Sequence, residues 1–265
     1  MNNHKRFILI WLIFLIAIIP NVANGETTQE KGLKIATAME RRDDGWVGQT
    51  AEVEFVINAE KRRGAIYKFR TQWIEVPDDG DKGIIIYDFP ADMRGVVSLA
   101  HLHKFVPNDM WIFIPRNRRV KRFSSQKKNS SFLGSEFTSE DLNRGEVEKY
   151  TYDWVKDEVY EELPCSVIDR FPVEANSGYI KQRLWIDKRE HRILKMEYYN
   201  LKDDHIKTLY LKDYKKYLDY FWREGERTMV NEKTGQSTTG HFRNWKLKVE
   251  LNKNDFTPTR IRRLR

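Results

Sequence analysis

Apolar and polar residues alternate along most of the chain, with the period expected for β-strands that have one buried face. In residues 51–59, Phe55 and Ile57 share a face with other apolar side chains, while Glu52 and Glu54 share the opposite face. Residues 65–75 repeat this arrangement, and the polar sequence AEKRRG lies between the two segments. The pattern therefore predicts two strands joined by a turn.

Two regions depart from this alternation. Residues 27–44 carry apolar side chains near helical spacing, followed by Gly45, which predicts one amphipathic helix that ends there. Residues 126–145 have neither period, so we expect a non-strand insertion there. A short helix is predicted within it at 139–142, where Ser139 can cap and Asp141 lies in the first turn.

The alternating pattern continues almost to the end of the chain. It predicts further strands near 83–89, 95–103, 109–115, 119–125, 146–156, 163–173, 178–187, 192–200, 205–213, 217–222, 226–231 and 237–249. About a dozen strands with short polar turns indicate a mainly β fold, a single curved antiparallel sheet with one apolar and one polar face. No linker-like segment interrupts the pattern, so residues 26–265 are predicted to form a single domain.

The first residues have the features of a secretory signal. Lys5 and Arg6 precede the apolar run 7–19, and the small residues Ala23 and Gly25 follow at cleavage positions. We expect removal of residues 1–25 and export to the periplasm. An uncleaved anchor would need roughly 20 apolar residues to cross the membrane.

Composition narrows the class of protein. The leader carries two of the 47 basic residues and none of the 39 acidic ones, which leaves a net charge of +6 on the mature chain. Aromatic residues make up 13% of the sequence and provide large amphipathic rings for a cavity or a membrane surface. Cys165 is the single cysteine, so an internal disulfide is excluded, and we expect it to be a small buried hydrophobe.

The stretch from Pro107 to Leu142 separates charges of opposite sign. Seven cations follow an apolar strand at 111–114, and no acid lies among them between Asp109 and Glu136. Residues 136–162 then contain ten acids and three bases. The simplest interpretation is that the basic turn and the acidic block face each other in the fold.

The same stretch resembles the outer-membrane lipoprotein-sorting protein family, which is LolA/LolB-like. The matching motifs are WIFIPRNRRVKRF at 111–123 and GSEFTSEDL at 134–142, with further matches at Arg94-Gly95, LWIDK at 184–188 and 227–247. The resemblance implies an incomplete, half-open antiparallel barrel of about 11–13 strands covered by a few short helices. It also implies a non-catalytic periplasmic carrier that shelters lipoprotein acyl chains or another lipid in an apolar cavity on the way to the outer membrane.

Candidate site residues follow from the strand faces and from this resemblance. The predicted lining of an apolar cavity is Phe55, Ile57, Tyr67, Phe69, Trp73, Trp111, Phe113, Tyr150, Tyr152, Trp154, Leu184 and Ile186. Each of these residues can equally be ordinary core. The predicted latch or docking residues are Arg94, Arg116, Arg118, Arg119, Arg122, Glu136, Glu140 and Asp141, for which the alternative is a solvated loop.

Several other functions are alternatives to the carrier. A non-catalytic accessory subunit that docks an inner-membrane export permease of the RND type uses the same fold as a rigid scaffold. A hydrolase would need a polar cleft, and the sequence has no nucleophile elbow, phosphate-binding loop or dinucleotide motif. His101 and His103 project to one face without a third ligand nearby, so neither a metal nor a cofactor is expected. Export and the acidic block argue against nucleic acid, and we expect a monomer that contacts membranes transiently.

Overall fold

The computed structural model describes residues 25–123, 130–142 and 145–264. The predicted signal peptide lies outside these ranges except for Gly25, and so do Lys127 and Lys128 of the basic turn. Within the described residues, no helix is both long enough and apolar enough to cross a bilayer.

The predicted N-terminal helix is confirmed as α1 (Thr28–Asp43). The Thr27 hydroxyl accepts the backbone N–H of Glu30, and the Glu30 carboxylate accepts the backbone N–H of Thr27. Together these two bonds form a complete capping box. The helix packs on the strand Tyr150–Tyr160, and Gly32 permits this contact. A Cβ atom on Gly32 would lie 2.9 Å from backbone atoms of that strand, so a larger residue would push the helix away.

The predicted strands are confirmed with small changes at their ends. They are β1 (Gly48–Asn58), β2 (Ala65–Ile74), β3 (Lys82–Phe89), β4 (Val97–His101), β5 (Asp109–Ile114), β6 (Arg119–Phe123), β7 (Tyr150–Tyr160), β8 (Leu163–Pro172), β9 (Lys181–Asp187), β10 (Ile193–Tyr199), β11 (His205–Lys212), β12 (Lys215–Tyr217), β13 (Phe221–Arg223), β14 (Glu226–Asn231) and β15 (Ser237–Leu247). Short 3₁₀ helices cover Glu60–Arg62, Pro115–Asn117, Val147–Lys149, Lys253–Asp255 and Ile261–Arg263.

Thirteen of these strands form one antiparallel sheet, in the order β6-β5-β4-β3-β2-β1-β15-β14-β11-β10-β9-β8-β7. Two meanders, one from each half of the chain, join where β1 pairs with β15. The sheet does not close into a barrel, because β6 and β7 are its two edges. The expected open antiparallel sheet is therefore confirmed. Residues 124–149 connect one edge to the other, and we call them the crossing segment.

The sheet is curved, because residues from distant strands pack in one apolar cluster on its concave face. Tyr87 on β3 and Tyr152 on β7 belong to this cluster, although eight strands separate β3 from β7 along the sheet by way of β1 and β15. Ala36 of α1 and Phe137 of the crossing segment complete it. The helix and the crossing segment therefore cover the concave face.

The convex face has its own cover. Ile84 and Phe113 pack there against Phe256 and Ile261 of the C-terminal segment. A third cluster holds Cys165, which is fully buried, as the sequence predicted.

Two local predictions differ from the structure. Residues 139–142 form a turn instead of a short helix, because the Asp141 carboxylate accepts the backbone N–H of Thr138 at 2.7 Å and fixes a local turn. The strand predicted at 217–222 is divided into β12 and β13. Leu218 and Asp219 between them have φ values of 51° and 54°, the left-handed conformation of a tight hairpin turn.

Candidate functional site

A cavity of about 440 Å³ lies between the carboxyl end of α1, the crossing segment and the concave face of β7 to β11. Small-molecule sites commonly measure roughly 300–1,000 Å³, so the space is large enough for one ligand. Its apolar lining includes Met39 and Val147 on the cover and several side chains of the sheet, among them Tyr152, Ile193, Met196, Tyr198, Leu209 and Leu211.

An apolar row crosses the concave face from strand to strand. Register places Ile168, Leu184, Met196, Leu209 and Met229 side by side on β8, β9, β10, β11 and β14. All five are buried in the concave cluster, and Met196 and Leu209 also line the cavity. The row forms a continuous apolar surface that runs perpendicular to the strands.

A polar row runs parallel to it, two residues along each strand, or about 7 Å away. Register places Arg170, Gln182, Tyr198, Lys207 and Asn231 next to one another on the same five strands. These polar groups are enclosed, because Arg170, Gln182 and Lys207 are each 6% exposed or less. Polar groups buried at this depth need partners, so the row calls for a source of complementary charge.

The crossing segment supplies acids to one end of the polar row. The Asp141 carboxylate accepts from Lys207 Nζ at 2.8 Å and from the Tyr179 hydroxyl at 2.7 Å. Glu136 accepts from Asn231 Nδ2 at 3.0 Å. These contacts hold the acidic end of the segment against the concave face in this conformation, and the Asp141 side chain is fully enclosed.

Glu140, next to Asp141, binds the loop between β8 and β9. Its two oxygens accept from the Ser177 hydroxyl at 2.6 Å and from the Gly178 N–H at 3.0 Å. The three acids of the predicted GSEFTSEDL motif therefore anchor the crossing segment to three places on the sheet and its loops.

Two phenylalanines of the crossing segment fill the other part of the concave face. Phe132 and Phe137 pack on Phe55 with ring centroids 5.9 and 5.2 Å apart, and Phe132 also contacts Phe69 and Tyr87. We call this part, on β1 to β3, the filled half. The part that faces the cavity, on β7 to β11, is the open half.

The rim of the cavity is acidic. Eleven carboxylates and five Lys or Arg residues line the cavity, whereas the mature chain as a whole is basic. Arg42 pairs with Glu190 at 3.1 Å, and Arg227 pairs with Glu224. The excess of carboxylates gives the mouth a negative potential.

Glu146 at this mouth has an unusual environment. Burial first, and then the charges of Asp81 and Glu40, raise its pKa to about 7. Glu40, Glu146 and Glu148 offer carboxylate oxygens that lie within 4.8 Å of one another. Protonation of Glu146 near neutral pH would lower the repulsion within this group.

The two histidines weighed as a metal pair have separate partners. His101 Nε2 lies 2.8 Å from the Phe256 carbonyl oxygen, and burial lowers its pKa. His103 Nδ1 lies 2.6 Å from an Asp79 oxygen. Both rings thus belong to local contacts that fasten loops and the C-terminal segment.

The predicted cavity residues are divided among four locations. Tyr152 lines the cavity, while Phe55, Phe69, Leu184 and Ile186 lie in the concave cluster, with Tyr67, Tyr150 and Trp154 packed against it. Ile57 is fully buried on β1, and Trp73 on β2 is half-buried and covers Gly83. Trp111 and Phe113 lie in the convex cluster instead. On β5, the side chain that faces the concave cluster is Ile112. The alternation could not predict this, because residues 110–114 are all apolar.

Among the described residues, no ion pair joins the basic turn to the acidic block. Arg122 pairs with Asp109 beside it, and Arg94 Nε donates to the Asp88 carbonyl oxygen at 3.4 Å. Arg116, Arg118 and Arg119 are exposed near edge strand β6, and they form no ion pair within the part of the chain described. Three acids of the block, Glu136, Glu140 and Asp141, bind Asn231, the β8–β9 loop and Lys207 instead, because the crossing segment carries them to the far half of the sheet.

Arg170, Gln182, Met196 and Lys207 were not among the predicted site residues. A signal for three of them is present in the sequence, since a polar side chain occupies the apolar phase of an otherwise alternating strand. Each lies two residues from an apolar residue on the same strand face: Arg170 from Ile168, Gln182 from Leu184 and Lys207 from Leu209.

Comparisons with known proteins agree with this architecture. A family model described as "-like: Uncharacterized protein" matches residues 79–263. The crystal structure of a putative outer membrane lipoprotein-sorting protein domain from Vibrio parahaemolyticus is 38% identical, with a TM-score of 0.85, and the match covers 88% of this chain and 99% of that one.

Two more distant structures share the fold. A DUF1329 family protein from Desulfovibrio piger is 25% identical over 89% of this chain and 99% of its own, with a TM-score of 0.81. A LolA superfamily protein from Nitrosomonas europaea is 19% identical over 88% and 98%, with a TM-score of 0.68. The comparison with curated proteins gives no match.

Proposed function

Because the chain belongs to the outer-membrane lipoprotein-sorting protein family, we propose that it is a non-catalytic periplasmic carrier of lipid. It is exported after removal of residues 1–25 and shelters lipoprotein acyl chains, or the acyl chain of another lipid, for transfer towards the outer membrane. The observation that carries this proposal is the cavity of about 440 Å³ beside the apolar row of the sheet.

The energetics of the open half support an acyl ligand. Each methylene moved from water into an apolar site contributes about 0.8 kcal/mol. A chain along Met196 and Leu209 would be shielded on its sheet side by the apolar row and on the other side by Met39 and Val147. Binding would also cover apolar side chains that otherwise face the cavity.

Release needs a cover that moves. The crossing segment is held to the open half by polar contacts of Glu140 and Asp141 with Ser177, Tyr179 and Lys207. Such contacts can be exchanged for contacts with water or a partner, whereas the aromatic packing of the filled half cannot. We therefore place the moving part of the cover at the acidic end of the crossing segment.

The proposal is tested by lipid analysis and by uptake of an uncharged apolar dye, N-phenyl-1-naphthylamine. We expect acyl lipids to co-purify with the periplasmic protein and the dye to compete with them. Leu211→Glu, which puts a charge at the lining of the cavity, should weaken dye binding about tenfold or more.

Leu201→Glu is the matched control, because Leu201 is 70% exposed on a turn outside the cavity. It should bind dye like the wild-type protein. Absence of both co-purified lipid and dye uptake in the folded wild-type protein would overturn the carrier proposal.

A second role is favoured by the basic turn. Arg116, Arg118 and Arg119 are exposed together without ion pairs to other described residues, which fits a docking surface for an inner-membrane transporter of the RND type or for anionic membrane lipid. Charge reversal at Arg118 and Arg119 should then abolish capture of the transporter while dye uptake stays intact. If the charge-reversed variant captures the transporter as well as the wild-type protein does, the basic turn is not its docking surface.

A further inference from the structure

The two ends of the polar row differ in how their charges are neutralised. At one end, Lys207 Nζ donates to Asp141 at 2.8 Å and to the Glu136 carbonyl oxygen at 3.2 Å, and Asn231 binds the Glu136 carboxylate. At the other end stands Arg170, whose guanidinium has no equivalent acid among the described residues. The crossing segment thus neutralises one buried cation and leaves the other.

Arg170 is 5% exposed and lines the cavity. Its guanidinium stacks over the Tyr150 ring at 4.2 Å, and its Nε donates to Gln182 Oε1 at 2.6 Å. It forms no ion pair with the residues that the structure describes, and its terminal nitrogens, Nη1 and Nη2, have no hydrogen-bond acceptor among them. Neither terminal nitrogen of Arg170 is a fully enclosed atom without a partner, so both are open to the cavity.

The acids near Arg170 are engaged elsewhere. Glu140 and Asp141 line the same cavity, but their oxygens accept from the groups of the β8–β9 loop and from Lys207. The other Lys and Arg residues of the lining, Arg42, Lys104, Arg192 and Arg227, each pair with a carboxylate. Arg170 is therefore the cation of the lining that is not compensated within the described chain.

We propose that Arg170 binds the anionic head group, a carboxylate or phosphate monoanion, of an amphiphile with one acyl chain. The inference rests on the carrier function and adds the chemical class of its ligand. The planar fork of Nη1 and Nη2 matches two oxygens of such an anion, while Tyr150 and Gln182 hold the guanidinium in place. The chain then lies along Met196 and Leu209, about 7 Å from the polar row.

The acidic rim sharpens this selectivity. Eleven carboxylates around the cavity repel a small free anion before it reaches Arg170. An amphiphile overcomes this repulsion because burial of its chain contributes favourable free energy. The site should therefore bind an anion attached to an acyl chain and reject inorganic phosphate.

The test compares hexadecanoate with hexadecanol, which has the same chain and no charge, in displacing N-phenyl-1-naphthylamine at a pH where the carboxylate is ionised. Lysophosphatidylglycerol and inorganic phosphate are the other two competitors. The wild-type protein should prefer hexadecanoate over hexadecanol by about tenfold or more, as expected for a charge-assisted pair. Arg170→Met should remove this preference, because it takes away the charge that pairs with the carboxylate of hexadecanoate.

Arg42→Met is the matched control, since Arg42 lines the same cavity and its partner Glu190 keeps Trp222 Nε1 and Lys216. It should retain the preference for hexadecanoate. If Arg170→Met does not fold, Arg170→Lys serves instead, and it should reduce the preference because the fork is lost.

The outcomes separate this inference from the carrier function. Equal displacement by hexadecanoate and hexadecanol in the wild-type protein would overturn the role of Arg170 and leave the carrier standing. Failure of every acyl competitor to bind would overturn both. Displacement by inorganic phosphate alone would contradict recognition of an amphiphile, and a preference for lysophosphatidylglycerol over hexadecanoate would identify phosphate as the head group.

Discussion

The strands of the filled half and of the open half have the same apolar alternation, but their apolar side chains have different surroundings. On β1 and β2, Phe55 and Phe69 are covered by Phe132 and Phe137 of the crossing segment. On β10 and β11, Met196 and Leu209 face an open cavity. The difference comes from the crossing segment, which carries large rings to one half and carboxylates to the other.

This comparison separates two ways of holding a cover. Ring packing in the filled half excludes water and has no substitute partner outside the protein. The carboxylates over the open half bind buried cations and hydroxyls, and such contacts can be exchanged for others. The filled half therefore fixes the crossing segment in place, and the open half supplies the space and the charge for a ligand.

The largest effect should come from breaking the contact between Asp141 and Lys207. Asp141→Asn keeps the volume but leaves a buried ammonium without its carboxylate, so the free energy of unfolding should fall by about 3–5 kcal/mol. The double variant Asp141→Asn/Lys207→Met should lose less than Asp141→Asn alone. Chemical denaturation measures all three proteins.

The control for this pair is Asp88→Asn. Asp88 also pairs with an arginine on the neighbouring strand, Arg70, but both side chains are about 40% exposed, at 42% and 41%. The expected loss is at most about 1 kcal/mol. Equal losses for Asp88→Asn and Asp141→Asn would show that the crossing segment is not anchored by a buried ion pair.

A matched pair of methionines tests where the empty space lies. Met229 is fully buried away from the cavity, whereas Met196 lines it. Replacement by alanine should cost about 2–5 kcal/mol at Met229, and less at Met196, because the side chain there already borders open space. Dye binding should change in Met196→Ala and stay constant in Met229→Ala. A larger loss of stability at Met196 would contradict the cavity.

The sequence was sufficient to predict the strands and the helix, because period two and period 3.6 are set by burial on one face. It did not show which half of the concave face is filled, since that depends on where Phe132 and Phe137 arrive after a connection between the two edges. Trp111 illustrates the limit. On β5 both faces are apolar and both are covered, so alternation does not assign a side.

Arg170 illustrates a second limit. A single cation on an apolar strand phase is visible in the sequence, but its partners are not. Lys207 stands in the same row and is neutralised by Asp141, 66 residues away along the chain. Whether a buried cation binds its own protein or a ligand is decided by tertiary contacts, which one-dimensional patterns do not contain.

A pH-dependent effect concerns the mouth of the open half, where burial and the charges of Asp81 and Glu40 raise the pKa of Glu146 from 4.5 to about 7. Between these two values the folded protein binds more protons than the unfolded chain, so stability decreases as pH rises through this window. Glu146→Gln should remove that decrease. The variant should match the wild-type protein below pH 4.5 and exceed its unfolding free energy above pH 7. Glu250→Gln, at an exposed position, should follow the wild-type curve of unfolding free energy against pH across the range.

Parallel curves of unfolding free energy against pH for Glu146→Gln and the wild-type protein would contradict this prediction. They would mean that the mouth of the open half is hydrated like any surface, and that its carboxylates do not repel one another strongly enough to affect folding.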